Sequence, residues 1–307
     1  MFMRSTYLKA YGLLILTTLI WAGNSVAGKI GAGHVDPILL TTLRWAIASA
    51  IILAFSIKPL RRDWPVIRQY GLLLLAYGVF GFGLFNMVLY SALNHTSAIN
   101  VMIEQAGIPL VIFIGNFALF RLKVAGSQLI GFCLTFFGVL LAATHGHVEQ
   151  ILHMKLNTGD ALMLLGMVIY GGYSVALKWR PPLHWQSLLA VPCIGALLAC
   201  LPALWWRMAQ APLPVPDATG WAVVAYAFIC VALISSVTYI FAIDLIGSNR
   251  AGLFINLLPI FGVFLAVIIL REPLHGFHLI ALGLVSGGIV LSEWKRFAGT
   301  PDTDVVN

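Results

Sequence analysis

The sequence predicts an all-α integral membrane protein of ten transmembrane helices, arranged as two inverted five-helix repeats. Three observations carry this prediction. The chain of 307 residues is 60% hydrophobic and only 9% charged, which excludes an ordinary soluble globular protein. Ten apolar stretches approach the roughly 20 residues that a helix needs to cross the hydrocarbon core of a bilayer. Related residues also recur at an almost constant separation along the chain.

The ten predicted spans follow one another with short connectors, as in Lys58–Arg62 and Pro212–Asp217, and no gap is long enough for a separate soluble domain. The first span is interpreted as a helix of the mature protein, and not as a secretory leader, because residues 21–29 resemble residues 170–178. The predicted spans are Tyr11–Ile30, Pro37–Ile57, Tyr70–Leu93, Ser97–Phe120, Ala125–Thr144, Thr158–Lys178, Ser187–Met208, Gly220–Leu245, Arg250–Leu270 and His275–Trp294.

Basic residues in short loops predict the orientation, because Lys and Arg remain preferentially in the cytoplasm. With both termini inside, the cytoplasmic basic residues are Arg4, Lys9, Lys58, Arg61, Arg62, Arg68, Arg121, Lys123, Lys178, Arg180, Arg250, Lys295 and Arg296. The outer side holds only Lys29, Lys155, Arg207 and Arg271, and Arg44 lies within a span. We therefore expect a multi-pass protein of the bacterial inner membrane with cytoplasmic N- and C-termini.

An internal duplication is clearest between the fourth and fifth spans and the ninth and tenth. At an offset of 150 the matching pairs are Pro109 with Pro259, Arg121 with Arg271, Gly126 with Gly276, Ile130 with Ile280, Gly138 with Gly288 and, in the third and eighth spans, Ala92 with Ala242. These pairs predict a first repeat over residues 1–150 and a second over residues 151–307, in one membrane unit. Because five spans is an odd number, the second repeat must cross the bilayer in the opposite direction.

Polar side chains inside the spans are the first candidates for a binding site, because they are costly in hydrocarbon unless paired or facing water. Asn24, Arg44 and Glu104 are each predicted about 10 Å below the outer boundary, at about 1.5 Å per residue. In one interpretation Arg44 and Glu104 face a central cavity and bind the two ends of a zwitterion, or pass a proton. In the other they form a buried ion pair that holds two helices together.

A second candidate set combines aromatic rings, which stack on apolar ligands, with polar groups that orient them. Its members are Trp21, Asn24 and Ser25 in the first span, Asn86 and Tyr90 in the third, Tyr170 and Tyr173 in the sixth, and Asn256 in the ninth. Ordinary helix packing is the alternative for each. Pro109 and Pro259 lie deep in their spans, where they predict kinks that serve either as gates or as static bends.

Other motifs are assigned to packing or set aside. Gly78, Gly81 and Gly83, like the GxxxG pair Gly283 and Gly287, are expected to let helices approach closely. A cluster of His145, His147 and His153 with Glu149 is too weak to predict a metal site. No catalytic residue set or nucleotide-binding loop occurs in a suitable context, so we expect no enzymatic activity, no metal, no cofactor and no nucleic-acid partner.

The segment from Arg250 to His275, RAGLFINLLPIFGVFLAVIILREPLH, resembles the EamA branch of the drug/metabolite transporter superfamily. Ala251, Pro259, Glu272 and Gly288 match the pattern of that family's closing repeat. The resemblance implies a ten-helix inverted-repeat carrier with a central cavity, which moves small metabolites and often exports amino acids. The first repeat departs from the pattern, since Arg121–Lys123 stands where the family commonly has a glutamate, and Glu104 with Gln105 is an unusual polar insertion.

Together these observations predict a secondary transporter that exports small metabolites by alternating access, with amino acids first and aromatic ones slightly favoured. Two alternatives stay open: a carrier for nucleotide sugars or phosphorylated metabolites, and a membrane scaffold or sensor that transports nothing. The expected partners are a small-molecule substrate and the lipid bilayer, with proton coupling as a hypothesis based on Glu104. Both a monomer and a homodimer are compatible with the sequence.

Overall fold

The computed structural model describes residues 2–121, 126–147, 157–246, 251 and 254–292, and all regular structure within these ranges is helical. Several residues used in the sequence analysis lie outside the described residues. They are Lys123, Glu149, His153, Lys155, Arg250, Lys295 and Arg296, together with the side chain of Arg4.

Twelve α-helices are described: α1 Phe2–Gly31, α2 Pro37–Tyr77, α3 Phe85–Leu93, α4 Ala98–Gln105, α5 Ile108–Phe120, α6 Gly126–Ala143, α7 Thr158–Ala176, α8 Trp185–Gln210, α9 Ala218–Tyr226, α10 Ser235–Ile246, α11 Leu258–Leu265 and α12 Gly276–Ser292. Shorter π-helical segments cover Gly78–Leu84, Ala227–Ile234 and Ala266–Leu270, and 3-10 turns cover Leu177–Trp179 and Phe254–Leu257. Within the described ranges, seven continuous helical stretches are long and apolar enough to cross a membrane, and two shorter apolar ones follow, Phe254–Leu270 and Gly276–Leu291.

The second and third predicted spans form one continuous helical stretch, Pro37–Leu93, of 57 residues. The chain reverses direction within this stretch. The evidence is that the centres of the Trp45 and Phe82 rings lie 4.9 Å apart in a stacked arrangement. In a straight helix these two residues would lie about 55 Å apart. Pro59 and Pro65 lie in the connection between the two arms, where each proline removes a backbone hydrogen bond and favours bending.

The fourth and ninth predicted spans are interrupted at the same relative place. Helix α4 ends at Gln105, and α5 begins at Ile108 with Pro109 in its first turn. A 3-10 turn likewise precedes α11, which has Pro259 in its first turn. Each proline therefore starts a new helical segment, where its missing N–H costs nothing, instead of bending an unbroken helix.

Backbone geometry at these breaks is almost the same in both halves of the chain. The capping residues before the prolines, Gly107 and Leu257, have φ and ψ of −80° and −8° and of −79° and −11°. The segments that follow end at Arg121 and Arg271, both left-handed with φ of 49° and 54°. The left-handed conformation is uncommon for a residue with a side chain, so its occurrence at two positions 150 apart is informative.

Helix packing shows a reciprocal pattern. Helix α1 packs on α10 and α11, and its predicted counterpart α7 packs on α3 and α5. Two further contacts are α2 with α8 and α6 with α12. In the α6–α12 contact, Gly138 lies against Ala281 and Gly288 lies against Gly131. Adding 150 to the α6 residue and subtracting 150 from the α12 residue converts the first pair into the second. Such reciprocity is what a two-fold axis between related elements produces.

The glycines expected to permit close packing divide into two groups. Gly78, Gly81 and Gly83 have Pro192, Tyr173 and Ala196 as close neighbours, as expected. For Gly283 and Gly287 the expectation is wrong within the described chain, because no atom lies within 4 Å of the position that a β-carbon would take. Both residues lie on the exposed face of α12, turned away from α6.

Candidate functional site

Four of the predicted site residues form one buried hydrogen-bond network between α1, α2 and α3. The Nη1 atom of Arg44 donates to Asn86 Oδ1 and to the Tyr90 hydroxyl oxygen, both at 2.9 Å. The Tyr90 hydroxyl donates in turn to Asn24 Oδ1 at 2.7 Å. Asn86 and Tyr90 reach the same guanidinium because residues four apart share one face of a helix.

All hydrogen-bond acceptors that the structure gives Arg44 are neutral. The residue is 5% exposed, and its Nε atom has no hydrogen-bond partner within the described part of the chain. No described carboxylate lies within 4 Å of the guanidinium, and Glu104 is not among its partners. A buried charge without a counter-ion is costly, so this network favours the arrival of an anionic group.

A π-helical segment supports the network from one side. The carbonyl oxygen of Phe82, within Gly78–Leu84, accepts hydrogen bonds from Asn86 Nδ2 at 2.7 Å and from Trp45 Nε1 at 3.2 Å. The guanidinium carbon of Arg44 also lies 4.8 Å from the centre of the Trp45 ring, which is within the range of a cation–π interaction. Irregular turns of this kind recur at functional sites because they redirect backbone and side-chain groups.

An aromatic cluster packs against the segment that supports the polar network. Tyr170 and Tyr173 on α7 lie 5.3 Å apart, and the Tyr170 ring lies 4.7 Å from Phe85, next to Asn86 in the chain. The Tyr173 ring lies 6.1 Å from Phe82. Both tyrosines keep part of their surface exposed. A guanidinium beside aromatic rings suits a ligand that has a carboxylate at one end and an apolar group at the other.

The remaining candidates lie elsewhere. Trp21 faces α10, where its Nε1 donates to Ser235 Oγ at 2.7 Å and its ring lies 5.2 Å from Tyr239. Ser25, next to Asn24, is buried, and its hydroxyl has no partner among the described groups. Asn256 lines a different, mainly apolar cavity of about 330 Å³ with Tyr11, Phe254 and Ser286.

Glu104 belongs to a second buried polar cluster, most of which the sequence analysis missed. Its side chain is fully buried, neither of its oxygens has a hydrogen-bond partner among the described residues, and its charged neighbour is Asp160 on α7. Asp160 is also fully buried and accepts hydrogen bonds from Thr96 and Asn100. An aspartate inside an apolar span was the available sequence signal, since such residues are rare and commonly functional.

Comparisons with known proteins agree with this architecture. The sequence profile of the EamA-like transporter family matches residues 8–144 and again residues 157–294. An uncharacterized transporter of Bacillus subtilis (strain 168), YetK, is 25% identical over 94% of this chain and 87% of its own length. A probable amino-acid metabolite efflux pump of Escherichia coli (strain K12) is 22% identical over 92% of this chain and 96% of its own.

Among solved structures that share the fold, a crystal structure matches with a TM-score of 0.59 and 20% sequence identity, and the match covers 97% of this chain and 99% of the other. The likeness at this identity concerns the fold alone. The two profile matches extend over most of the sequence. The chain therefore belongs to the EamA-like transporter family and is a multi-pass membrane protein.

Proposed function

We propose that the protein is a secondary transporter that exports small amphipathic metabolites by alternating access, with amino acids first and aromatic ones favoured. The observation that carries this proposal is the buried Arg44 guanidinium, which has only neutral hydrogen-bond acceptors and lies over the Trp45 ring. A substrate carboxylate would supply the counter-ion and form charge-assisted hydrogen bonds with Arg44.

The neighbouring residues take complementary roles in this proposal. Asn86 and Tyr90 fix the orientation of the guanidinium, and Asn24 fixes that of the Tyr90 hydroxyl. Tyr170 and Tyr173 provide the surface for an apolar or aromatic side chain. We keep Trp21 and Ser25 as candidates on α1, on either side of Asn24 in the sequence. We assign Asn256 to a path toward the cytoplasm because its cavity is also lined by Tyr11, at the predicted cytoplasmic end of the first span.

We infer an inverted repeat, and such a repeat supports alternating access. Two successive matches to one family profile, the reciprocal contacts of α6 with α12, and the equivalent breaks before Pro109 and Pro259 favour two five-span bundles related by an axis in the membrane plane. In such carriers one bundle rocks against the other around a central site. The two helix breaks are the positions at which we propose that the gates bend.

The name of the Escherichia coli relative, an amino-acid metabolite efflux pump, supports export and the substrate class. The distribution of basic residues supports a bacterial inner-membrane location with both termini in the cytoplasm. We retain the expectation of a carrier without catalytic activity or cofactor, whose partners are the substrate and the lipid bilayer. Both oligomeric states named above, monomer and homodimer, fit this proposal.

A carrier for phosphorylated metabolites is the second candidate, because a guanidinium also binds phosphate. One cation is a weak match for the several charges of a nucleotide sugar, so the single Arg44 favours a monocarboxylate. A membrane scaffold or sensor is the third candidate. The tests below separate the three.

The proposal is tested by flux into proteoliposomes that contain the purified protein. We expect saturable uptake of radiolabelled phenylalanine, competed by tyrosine and tryptophan and poorly by phenethylamine, which lacks the carboxylate. Uptake of a labelled nucleotide sugar in place of phenylalanine would favour the second candidate. A protein that retains its fold but moves none of these compounds above protein-free liposomes would contradict the proposal and favour a scaffold or sensor.

A further inference from the structure

The polar cluster around Glu104 leads from the protein interior to a cavity at the face predicted to be outside the cell. This cavity has a volume of about 290 Å³, and its lining includes Ser97, His145, His275 and His278. The side chain of His145 is 41% exposed, whereas that of Asp160 is fully buried. The cluster therefore joins water at the outer face to carboxyl groups in the interior.

Four side chains of the cluster follow one another at hydrogen-bond distance: His145, Asp160, Asn100 and His278. His145 Nε2 lies 2.8 Å from Asp160 Oδ2. Asn100 Nδ2 donates to Asp160 Oδ1 at 3.3 Å, and Asn100 Oδ1 lies 3.1 Å from His278 Nε2. Glu104, one helical turn beyond Asn100 on α4, is fully buried with Asp160 as its charged neighbour, and its two oxygens have no hydrogen-bond partner among the described residues. His145 itself has a left-handed backbone, with φ of 50°.

We propose that His145, Asp160 and Glu104 form a proton-binding relay, through which protons enter from the outer face and drive export. The inference rests on the proposed function and adds its coupling ion. A proton taken up by His145 passes from Nε2 to Asp160 Oδ2, which leaves His145 neutral. It then passes from the Asp160 carboxyl to Glu104, which returns Asp160 to its carboxylate form. Glu104 releases the proton to the cytoplasm when the carrier opens inward.

Two features favour a proton over a metal ion. Fully buried carboxyl groups joined to histidine are the usual components of proton relays within membranes, and neighbouring carboxylates resist joint ionisation. In the part of the chain that the structure describes, no group of three or more His, Cys, Asp or Glu side chains is arranged to hold a metal ion.

The titratable surroundings of the relay come from several elements. Helix α1 contributes Lys29, whose Nζ donates to the carbonyl oxygens of Leu93 and Thr96 at 2.9 and 2.6 Å. Glu272 accepts from the backbone N–H groups of Ala98 and Ile99 at the start of α4. The sequences of α3, α6 and α11 contain no Asp, Glu, Lys, Arg or His. Among the described residues, further titratable groups nearby are His95, next to Thr96, and His147, His275 and His278 in the lining of the outer cavity.

The chain contains a matched control for the relay. His34 Nδ1 lies 2.7 Å from Asp217 Oδ2 at the same predicted face, but the two side chains are 43% and 57% exposed. This pair reproduces the histidine–aspartate contact without a buried carboxyl group behind it. His34→Gln and Asp217→Asn are therefore compared with His145→Gln and Asp160→Asn.

The relay is tested first by infrared difference spectroscopy of the purified protein during a pH titration, which requires no transport. We expect a carboxyl C=O band from a protonated buried acid that is lost in Glu104→Gln and shifted in Asp160→Asn. In His145→Gln its titration is shifted, and both control variants leave it unchanged. Survival of the band in Glu104→Gln, or equal shifts in the control variants, would overturn the relay. Loss of the band on addition of sodium at constant pH would also overturn it, in favour of a sodium site.

The second test compares two modes of phenylalanine transport in proteoliposomes. Accumulation driven by a pH gradient requires the relay, whereas phenylalanine exchange at equal pH does not. We expect Glu104→Gln, Asp160→Asn and His145→Gln to lose gradient-driven accumulation and keep exchange at equal pH, and the control variants to keep both.

If the wild type shows neither mode, the proposed function fails and the infrared result still judges the proton site. If the wild type shows both and Asp160→Asn keeps gradient-driven accumulation, the relay fails and the function stands. If Asp160→Asn does not fold, His145→Gln tests the relay in its place, because His145 is the exposed member of the relay.

Discussion

Replacing Arg44 with Gln is expected to abolish phenylalanine transport while leaving the protein at least as stable as the wild type. The two effects have opposite origins. Loss of the charge removes the partner for a substrate carboxylate, and truncating one member of a buried charged pair costs about 2–5 kcal/mol of binding free energy. In the free protein, the same change removes a buried charge that has no counter-ion among the described residues, and Gln keeps an amide donor for Asn86 and Tyr90.

Transport into proteoliposomes and thermal unfolding in detergent measure these two effects on the same preparations. Arg62→Gln is the control, because the Arg62 side chain is 68% exposed and its neighbour is Asp63. It should transport as the wild type does. If Arg44→Gln lowers the unfolding temperature and retains transport, Arg44 is a structural residue and the proposed site is wrong.

Replacing Gly195 with Val is expected to prevent normal folding. Gly195 lies on α8 directly against the backbone of Leu75, and a β-carbon there would overlap the Leu75 carbonyl group. Overpacking a helix contact costs about 1–3 kcal/mol when side chains can move aside, and more when the obstacle is backbone. Helix α8 also packs against Trp45 and Met87. Separating α2 from α8 would therefore disturb the Trp45 ring, over which the Arg44 guanidinium lies.

Gly283→Val provides the comparison, since it makes the same chemical change in a helix where no atom lies within 4 Å of the added β-carbon. The yield of monodisperse protein and the unfolding temperature report the result. We expect a severe loss for Gly195→Val and almost none for Gly283→Val. Equal behaviour of the two variants would show that the close α2–α8 contact does not determine stability.

The sequence was sufficient to predict the helical class, the membrane location and most helix positions, because apolar stretches of membrane length are a strong signal. It also named Asn24, Arg44, Asn86 and Tyr90 as site candidates, in two sets that share Asn24, and the structure joins all four through hydrogen bonds. The similar depths of Asn24 and Arg44, and the i to i+4 spacing of Asn86 and Tyr90, carried that information. The doubling back of Pro37–Leu93 as one helical stretch was not predictable, because prolines suggested only an ordinary loop.

Contacts between distant spans were the main gap. Glu104 was placed in the same layer as Arg44, yet its charged neighbour is Asp160, on a helix from the other half of the chain. Depth along a helix can be counted from the sequence, but the direction in which a side chain points depends on how the helices are rotated. For the same reason His145 was considered only as a weak metal ligand, although its ring contacts a buried aspartate.

The most direct test of the central claim is the accessibility of Tyr170, on the aromatic side of the proposed site, from both sides of the membrane. A single cysteine at position 170 is introduced after replacing the four native cysteines, Cys133, Cys193, Cys200 and Cys230. A membrane-impermeant thiol reagent is then applied to right-side-out and to inverted vesicles. The account predicts labelling from both faces, with phenylalanine slowing the reaction in each orientation. Labelling from one face only, or from neither, would contradict a binding site that opens alternately to the two sides.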